Sequence, residues 1–244
     1  MKDWRTQALA HAESVYPAEA CGVVVEIDGV PAFWPCRNID TQPGDRFELH
    51  PDDYAAAEDA GEVTGIVHSH PNASALPSAA DRVMCERRGL PWYIVGVPSG
   101  VWSGCQPSGY ALPLLRRPFV HGVIDCYTLV RDAMQSLFGV ALPDFERADD
   151  WWQHGGDLYR QHAQDAGYAA LPADAPLWPG DLITMQIHAN VPNHGAVYLG
   201  DGVMLHHLCN RLSARETYGG YWLHHTASRY RHGEITARPD PVRL

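Results

Sequence analysis

Apolar positions in this chain cluster into short β-rich runs bounded by Gly, Pro, Asn and Asp, and into longer amphipathic runs with helical spacing. The pattern predicts a helix over residues 3–15, a hairpin of strands 21–27 and 31–36 around Asp28-Gly29, and a helix over 51–61 capped near Asp52. A strand over 63–69 follows, with Gly65-Ile66-Val67 as its buried end. Pro71-Asn72-Ala73-Ser74 then reads as a loop, 78–88 as a helix, and 91–97 and 101–106 as β segments separated by Pro98-Ser99-Gly100. This first part should be a sheet flanked by helices. Arg116-Arg117-Pro118, after the apolar residues 111–115, reads as a junction between domains of 1–115 and 117–244. The second part should hold a helix over 126–138, a Trp-rich helical stretch from about 144 to 166, a proline-rich bend over 172–179, a strand from Gly180 to Met185, and a hairpin from Asn193 to His207. The expected fold class is α+β in two domains.

Chemistry enters with His68-Ser69-His70, followed after seven residues by Ser78 and then by Asp81. Imidazoles at i and i+2 of a strand share a face, so both can reach one ion. Ser78-Ala79-Ala80-Asp81 is the signature of an N-terminal capping box. The same i, i+3 spacing also puts a carboxylate on the first helical turn, where it can join the histidines. Three N/O ligands with an open fourth position describe a catalytic zinc. These residues resemble the JAMM (MPN, Mov34) metallopeptidases, whose pattern is a glutamate near the N-terminus and then His-x-His-x7-Ser-x-x-Asp. The resemblance covers about residues 1 to 115. It implies zinc bound by His68, His70 and Asp81, Glu19 as general base, Ser78 stabilising the tetrahedral intermediate, and cleavage of amide or isopeptide bonds.

A second constellation starts at Cys126, in the first turn of a helix whose expected N-cap is Asp125. The positive end of a helix favours thiolate, although a small buried cysteine is the other reading of this position. The hairpin downstream brings histidines into play, and its register decides which. A three-residue loop, 200–202, sets His206 opposite Ala196 and on the face of His194, whereas a two-residue Asp201-Gly202 loop gives that face to His207. The order of cysteine and histidines over about 117–230 resembles the NlpC-type cysteine peptidases, which have a papain-like core. That resemblance selects His206, twelve residues after His194. It implies Cys126 as nucleophile, His194 as its base and His206 as the group that orients the base. It further implies cleavage of γ-D-glutamyl-diamino-acid links in peptidoglycan stems. Tyr127-Thr128 stands where the family has Ser-Gly, and Gly195-Ala196 where it has x-Gly. Leu114 occupies the spacing of a tyrosine that the family carries before the cysteine, which leaves the Cys126 N–H as one source of oxyanion stabilisation.

Composition narrows the partners. A net charge of −11 argues against nucleic-acid phosphates, and 244 residues that are 45% hydrophobic suffice for two cores. The six dispersed cysteines form no C-x-x-C pair, against a disulfide scaffold or an all-cysteine zinc knot. Residues 1–7 lack a signal pattern and no apolar run approaches ~18 residues, so the expectation is a chain made in a cytoplasm without a membrane span. Trp151-Trp152, Trp178, Tyr159 and Tyr168 should either line a groove or fill a core. A JAMM-type module followed by an NlpC-type module resembles the tail assembly proteins of lambda-like siphophages. This implies tail tip proteins and peptidoglycan peptides as partners, the host cytoplasm during assembly, and a place at the virion tail tip. The alternative is a non-catalytic assembly factor with one or both sites vestigial.

Overall fold

Helix α1 (Trp4–Val15) opens the computed structural model, which describes residues 3–244. The chain divides into two units, one ending at Ala111 and one starting at Leu112. In the first, β1 (Cys21–Ile27) and β2 (Val30–Cys36) form the expected hairpin. Helix α2 (Pro51–Ala60) follows, then β3 (Glu62–Pro71), α3 (Ala79–Arg88), β4 (Trp92–Val97) and β5 (Trp102–Cys105). The sheet order is β2-β1-β3-β4-β5, antiparallel except for β3 with β4. Alternation sorts the side chains. Val24 and Val67 pack against α1 through Ala8, while Val23, Val25, Ile66 and Trp92 meet Ala57 of α2 and Cys85 of α3 on the other face. His68 and His70 share the parity of Ile66, so they project on the side that α3 covers. The cap of α2 is His50 rather than Asp52: its Nδ1 accepts the Asp52 N–H at 3.2 Å, and Pro51 takes the first helical position, where its missing N–H costs nothing.

The second unit contains α4 (Cys126–Phe138), α5 (Leu158–His162), β6 (Tyr168–Ala170), β7 (Leu182–Met185), β8 (His194–Gly200), β9 (Val203–His206), β10 (Ala214–Thr217), α6 (Gly220–His224) and β11 (Thr226–His232). Its sheet runs β10-β9-β8-β7-β11-β6, antiparallel throughout. Leu129, Val130, Ala133 and Met134 of α4 pack on Leu182, Val197, Leu199 and Leu205, and Trp222 of α6 joins Ile183, Met185, Ala196 and Met204 in a second cluster. The helical stretch expected over 144–166 is not continuous. Asp150 and Gly155 take positive φ (50° and 85°), the Trp151 carbonyl accepts from both His154 and Gly156, and only α5 is regular. Among the described residues no helix is long and apolar enough to cross a membrane.

The start of α4 is held by a buried charge pair. Asp125, 1% exposed, caps the helix by accepting from the Thr128 N–H at 2.8 Å and also receives the Gly122 N–H at 3.0 Å. Its other partner is the Arg147 guanidinium at 2.8 Å, itself also paired with Asp144. Burial opposes ionisation of Asp125, but Arg147 and Thr128 outweigh it and hold the carboxyl below its ordinary range. Asp125→Ala strands a buried guanidinium and uncaps α4. It should cost the second unit about 3–5 kcal/mol in urea unfolding, and Asp125→Asn, which keeps the cap acceptor, should cost less.

Candidate active sites

In the first unit the structure brings together every residue of the expected metal site. His68 Nε2 lies 3.1 Å from His70 Nε2 and 3.2 Å from Asp81 Oδ1, and His70 Nε2 lies 3.4 Å from Asp81 Oδ2. The two imidazole nitrogens are spaced like neighbouring ligands of a tetrahedral zinc, about 3.3 Å apart for bonds of ~2.0 Å, and the carboxylate reaches one imidazole with each oxygen. The three side chains also form the metal-competent cluster found among the described residues. The His70 Nδ1–H donates to the Ser74 carbonyl at 2.7 Å, which orients the ring with Nε2 toward Asp81. His68, 1% exposed, is wedged between Phe47, stacked at 4.7 Å, and Trp92. Asp81 fills both roles its spacing allowed. Its Oδ2 accepts the Ser78 N–H at 2.7 Å while the Ser78 hydroxyl accepts the Asp81 N–H at 3.1 Å, a complete capping box that also aims the carboxylate at the imidazoles.

Glu19 sits in the lead-in to β1, 8% exposed. The segment that carries it is tied down by Ser69, between the two histidines. The Ser69 hydroxyl accepts the Ala20 N–H at 2.8 Å, and the Ser69 N–H donates to the Ala20 carbonyl at 3.0 Å. The side chain alternating away from the ligand face thus ties the glutamate segment to the ligand strand. Burial pushes the Glu19 carboxyl up to about 8, opposed by His70 and reinforced by Asp81, Asp45 and Asp40. Burial lowers His68. For Asp81, burial is outweighed by hydrogen bonds from His68 and His70, which hold it well below the usual carboxylate range.

In the second unit the hairpin register takes something from each of the two possibilities. Gly200 pairs Val203 across a two-residue Asp201-Gly202 turn in which both residues have positive φ, yet a bulge at Leu199 shifts the ladder so that Ala196 pairs His206. His206 therefore shares the face of His194, and His194 Nε2 lies 3.0 Å from His206 Nδ1. His207, fully buried, instead offers Nε2 to the Arg211 carbonyl at 3.1 Å and packs edge-on to Phe119. Burial drives His194 down to about 3, with His206 and His207 adding to the effect, and it lowers His206 against the pull of Glu216. Both rings are neutral.

Cys126 occupies the first turn of α4, half-buried. Among the described residues its thiol is not hydrogen-bonded to His194. Its partner is the Tyr159 hydroxyl at 3.3 Å, and the Gly195 N–H faces the same sulfur. Burial raises the thiol, Asp125 adds to that, and these two donors oppose it. Tyr159 belongs to the buried aromatic cluster with Tyr127 and Trp151, and Tyr168 is also core, whereas Trp152 and Trp178 are partly exposed; the Tyr159 hydroxyl reaches the sulfur. It also explains Gly195: a Cβ there would lie 2.5 Å from the Tyr159 oxygen. Sequence reasoning places Tyr159 only among groove-or-core aromatics and misses its contact with the thiol.

Comparison with known proteins follows the same division. The family described as prokaryotic homologs of the JAB domain matches residues 1–104, and the NlpC/P60 family matches residues 102–231. The tail tip assembly protein K of Escherichia phage N15 is 41% identical over 229 residues, covering 93% of this chain and 93% of that protein. The tail tip assembly protein K of Escherichia phage lambda is 41% identical over 184 residues, covering 75% and 89%. Desampylase of Haloferax volcanii is 34% identical over 119 residues, covering 44% and 78%. The chain belongs to the tail tip assembly protein K family, with a JAB-type N-terminal domain joined to an NlpC/P60 C-terminal domain.

Proposed function

We propose that this chain works in tail tip assembly and carries two hydrolase sites, a zinc-dependent (iso)peptidase at His68, His70 and Asp81 and a thiol endopeptidase at Cys126 that cuts peptidoglycan stem peptides. The observation that carries the first site is the cluster of His68, His70 and Asp81, whose ligand atoms all lie within 4.8 Å of one another, beside a buried glutamate. Zinc held by His68, His70 and Asp81 would supply Lewis acidity, lower the pKa of water toward neutrality and draw Glu19 back toward carboxylate. Glu19 then takes the proton of the attacking water and passes it to the leaving amine. The Ser78 hydroxyl oxygen already accepts from Asp81, so its own hydrogen is the donor available to the developing oxyanion.

At the second site, His194 accepts the Cys126 proton through Nδ1, because Nε2 is engaged with His206. The sulfur attacks the scissile carbonyl, the proton moves to the leaving amine, and water hydrolyses the thioester. With a raised thiol and a lowered imidazole, proton transfer accompanies attack instead of preceding it. The Tyr159 hydroxyl and the Cys126 N–H at the start of α4 are the donors for the oxyanion. Assembly without catalysis at this site is a second reading, favoured by the missing thiol–imidazole hydrogen bond. Catalytic contacts in apo sites are commonly long, and substrate closes them.

Three outcomes follow. Purified wild type should retain about one zinc per chain, and His68→Ala should lose it, as read by elemental analysis; equal retention by both contradicts the N-terminal site. In chelated protein, Glu19 binds a proton in the folded state between its ordinary 4.5 and about 8. Its contribution is fully present below 4.5 and lost as pH rises toward 8, with a slope of at most about 1.4 kcal/mol per pH unit. Glu19→Gln should remove that slope in pH-dependent unfolding, and an unchanged difference from wild type between pH 5 and 8 contradicts it. On a stem tetrapeptide with a γ-D-glutamyl link, Cys126→Ala should abolish cleavage, and Tyr159→Phe should lower kcat by about 100-fold with the thiol still titratable. No cleavage by wild type contradicts the endopeptidase.

A further inference from the structure

Beyond His206, the C-terminal site continues to a residue with no assigned role. His206 Nε2 lies 3.5 Å from Glu216 Oε1 on β10, and Glu216 Oε2 accepts the Trp222 indole N–H at 2.8 Å. Trp222 also stands edge-on to the His206 ring at 4.5 Å. The run is therefore His194, His206, Glu216, Trp222, contributed by β8, β9, β10 and α6. Strand pairing explains how Glu216 arrives there, since β10 pairs β9 with Glu216 opposite Met204 and Ala214 opposite His206. Residues 204, 206 and 216 share one face of the ladder.

We propose that Glu216 is a positioning residue that sets the tautomers of both histidines and so points the lone pair of His194 toward the Cys126 thiol. Each step follows from what the groups can donate. The indole N–H is a donor only, and a carboxylate is an acceptor only. A carboxylate 3.5 Å from Nε2 favours the His206 proton on that nitrogen, which leaves Nδ1 bare. A bare Nδ1 accepts, so His194 must donate from Nε2, and its own Nδ1 keeps the lone pair a base requires. The other charged and titratable groups acting on these rings are Arg211 on His206, a donor only, and His207, which acts on His194. Glu216 is 37% exposed in its side chain, so it acts through a partly solvated contact and not as a buried charge. The inference rests on the reading of Cys126 and His194 as nucleophile and base.

Two-bond 15N–1H spectra of histidine-labelled protein read the ring tautomers directly and require no substrate. Wild type should show His206 and His194 both protonated at Nε2. In Glu216→Gln, whose amide keeps an oxygen for Trp222 but can also donate to His206, the Nδ1–H form should appear in both rings. Alkylation of Cys126 by iodoacetamide at neutral pH should slow by roughly tenfold in the same variant, and by more in His194→Ala. His206 protonated at Nδ1 in wild type, or tautomers unchanged in Glu216→Gln, would overturn the role of Glu216. Alkylation unaffected by His194→Ala would overturn the underlying base assignment, a result distinguishable from the first because the tautomers are read independently.

Discussion

Strand register is the constraint on which both sites depend. In the C-terminal domain one extra residue, the bulge at Leu199, makes a tight Asp201-Gly202 turn compatible with Ala196 opposite His206. Without it the ladder would carry His207 to the position of His206, and the ring now engaged with the Arg211 carbonyl would face His194. In the N-terminal domain the pairing of β1 with β3 sets Cys21 opposite His68, and the Ser69–Ala20 hydrogen bonds extend that pairing to the residue beside Glu19. Backbone ladders place the histidines and the glutamate segment, and helix starts supply the remaining candidate residues, Asp81 from α3 and Cys126 from α4.

Burial then decides protonation, and it acts in opposite senses on acids and bases. It raises Glu19 and Cys126 and lowers His68 and His194, favouring the uncharged form of each. Asp81 is the exception, because two imidazoles and a backbone N–H converge on it and outweigh its desolvation. The Asp81 carboxylate with two imidazoles beside it is a donor set suited to a cation, while, against burial, its charge and Glu19 raise His70.

Much of this was legible in the sequence, because spacing is preserved in regular elements. The His-x-His pair fell on a strand, Ser78 and Asp81 on a helix start, and Cys126 on another, where i+2 and i+3 rules convert sequence into geometry. The hairpin register was not legible, since a bulge leaves no periodic trace and two turn lengths fitted the same Gly-Asp-Gly. The region 144–166 misled because its aromatic residues mimic a helical face, while Gly155-Gly156 and the positive φ of Asp150 break it into turns. Strand β11 was silent for a different reason: its Arg229 and Arg231 look like surface residues, yet Arg231 pairs with the fully buried Asp181 at 2.8 Å and lies over Trp178. Tyr159 could not be placed from spacing at all, since it reaches Cys126 from a helix 33 residues downstream.

Catalysis in the service of tail assembly is tested most directly by complementing a phage that lacks its own copy of this gene with Cys126→Ala and with Glu19→Gln, and counting infectious particles at matched protein levels. If both sites act as enzymes, each substitution lowers the yield sharply although the variant protein is folded and present. Full rescue by both would mean that the chain serves as a scaffold and that neither site needs to turn over.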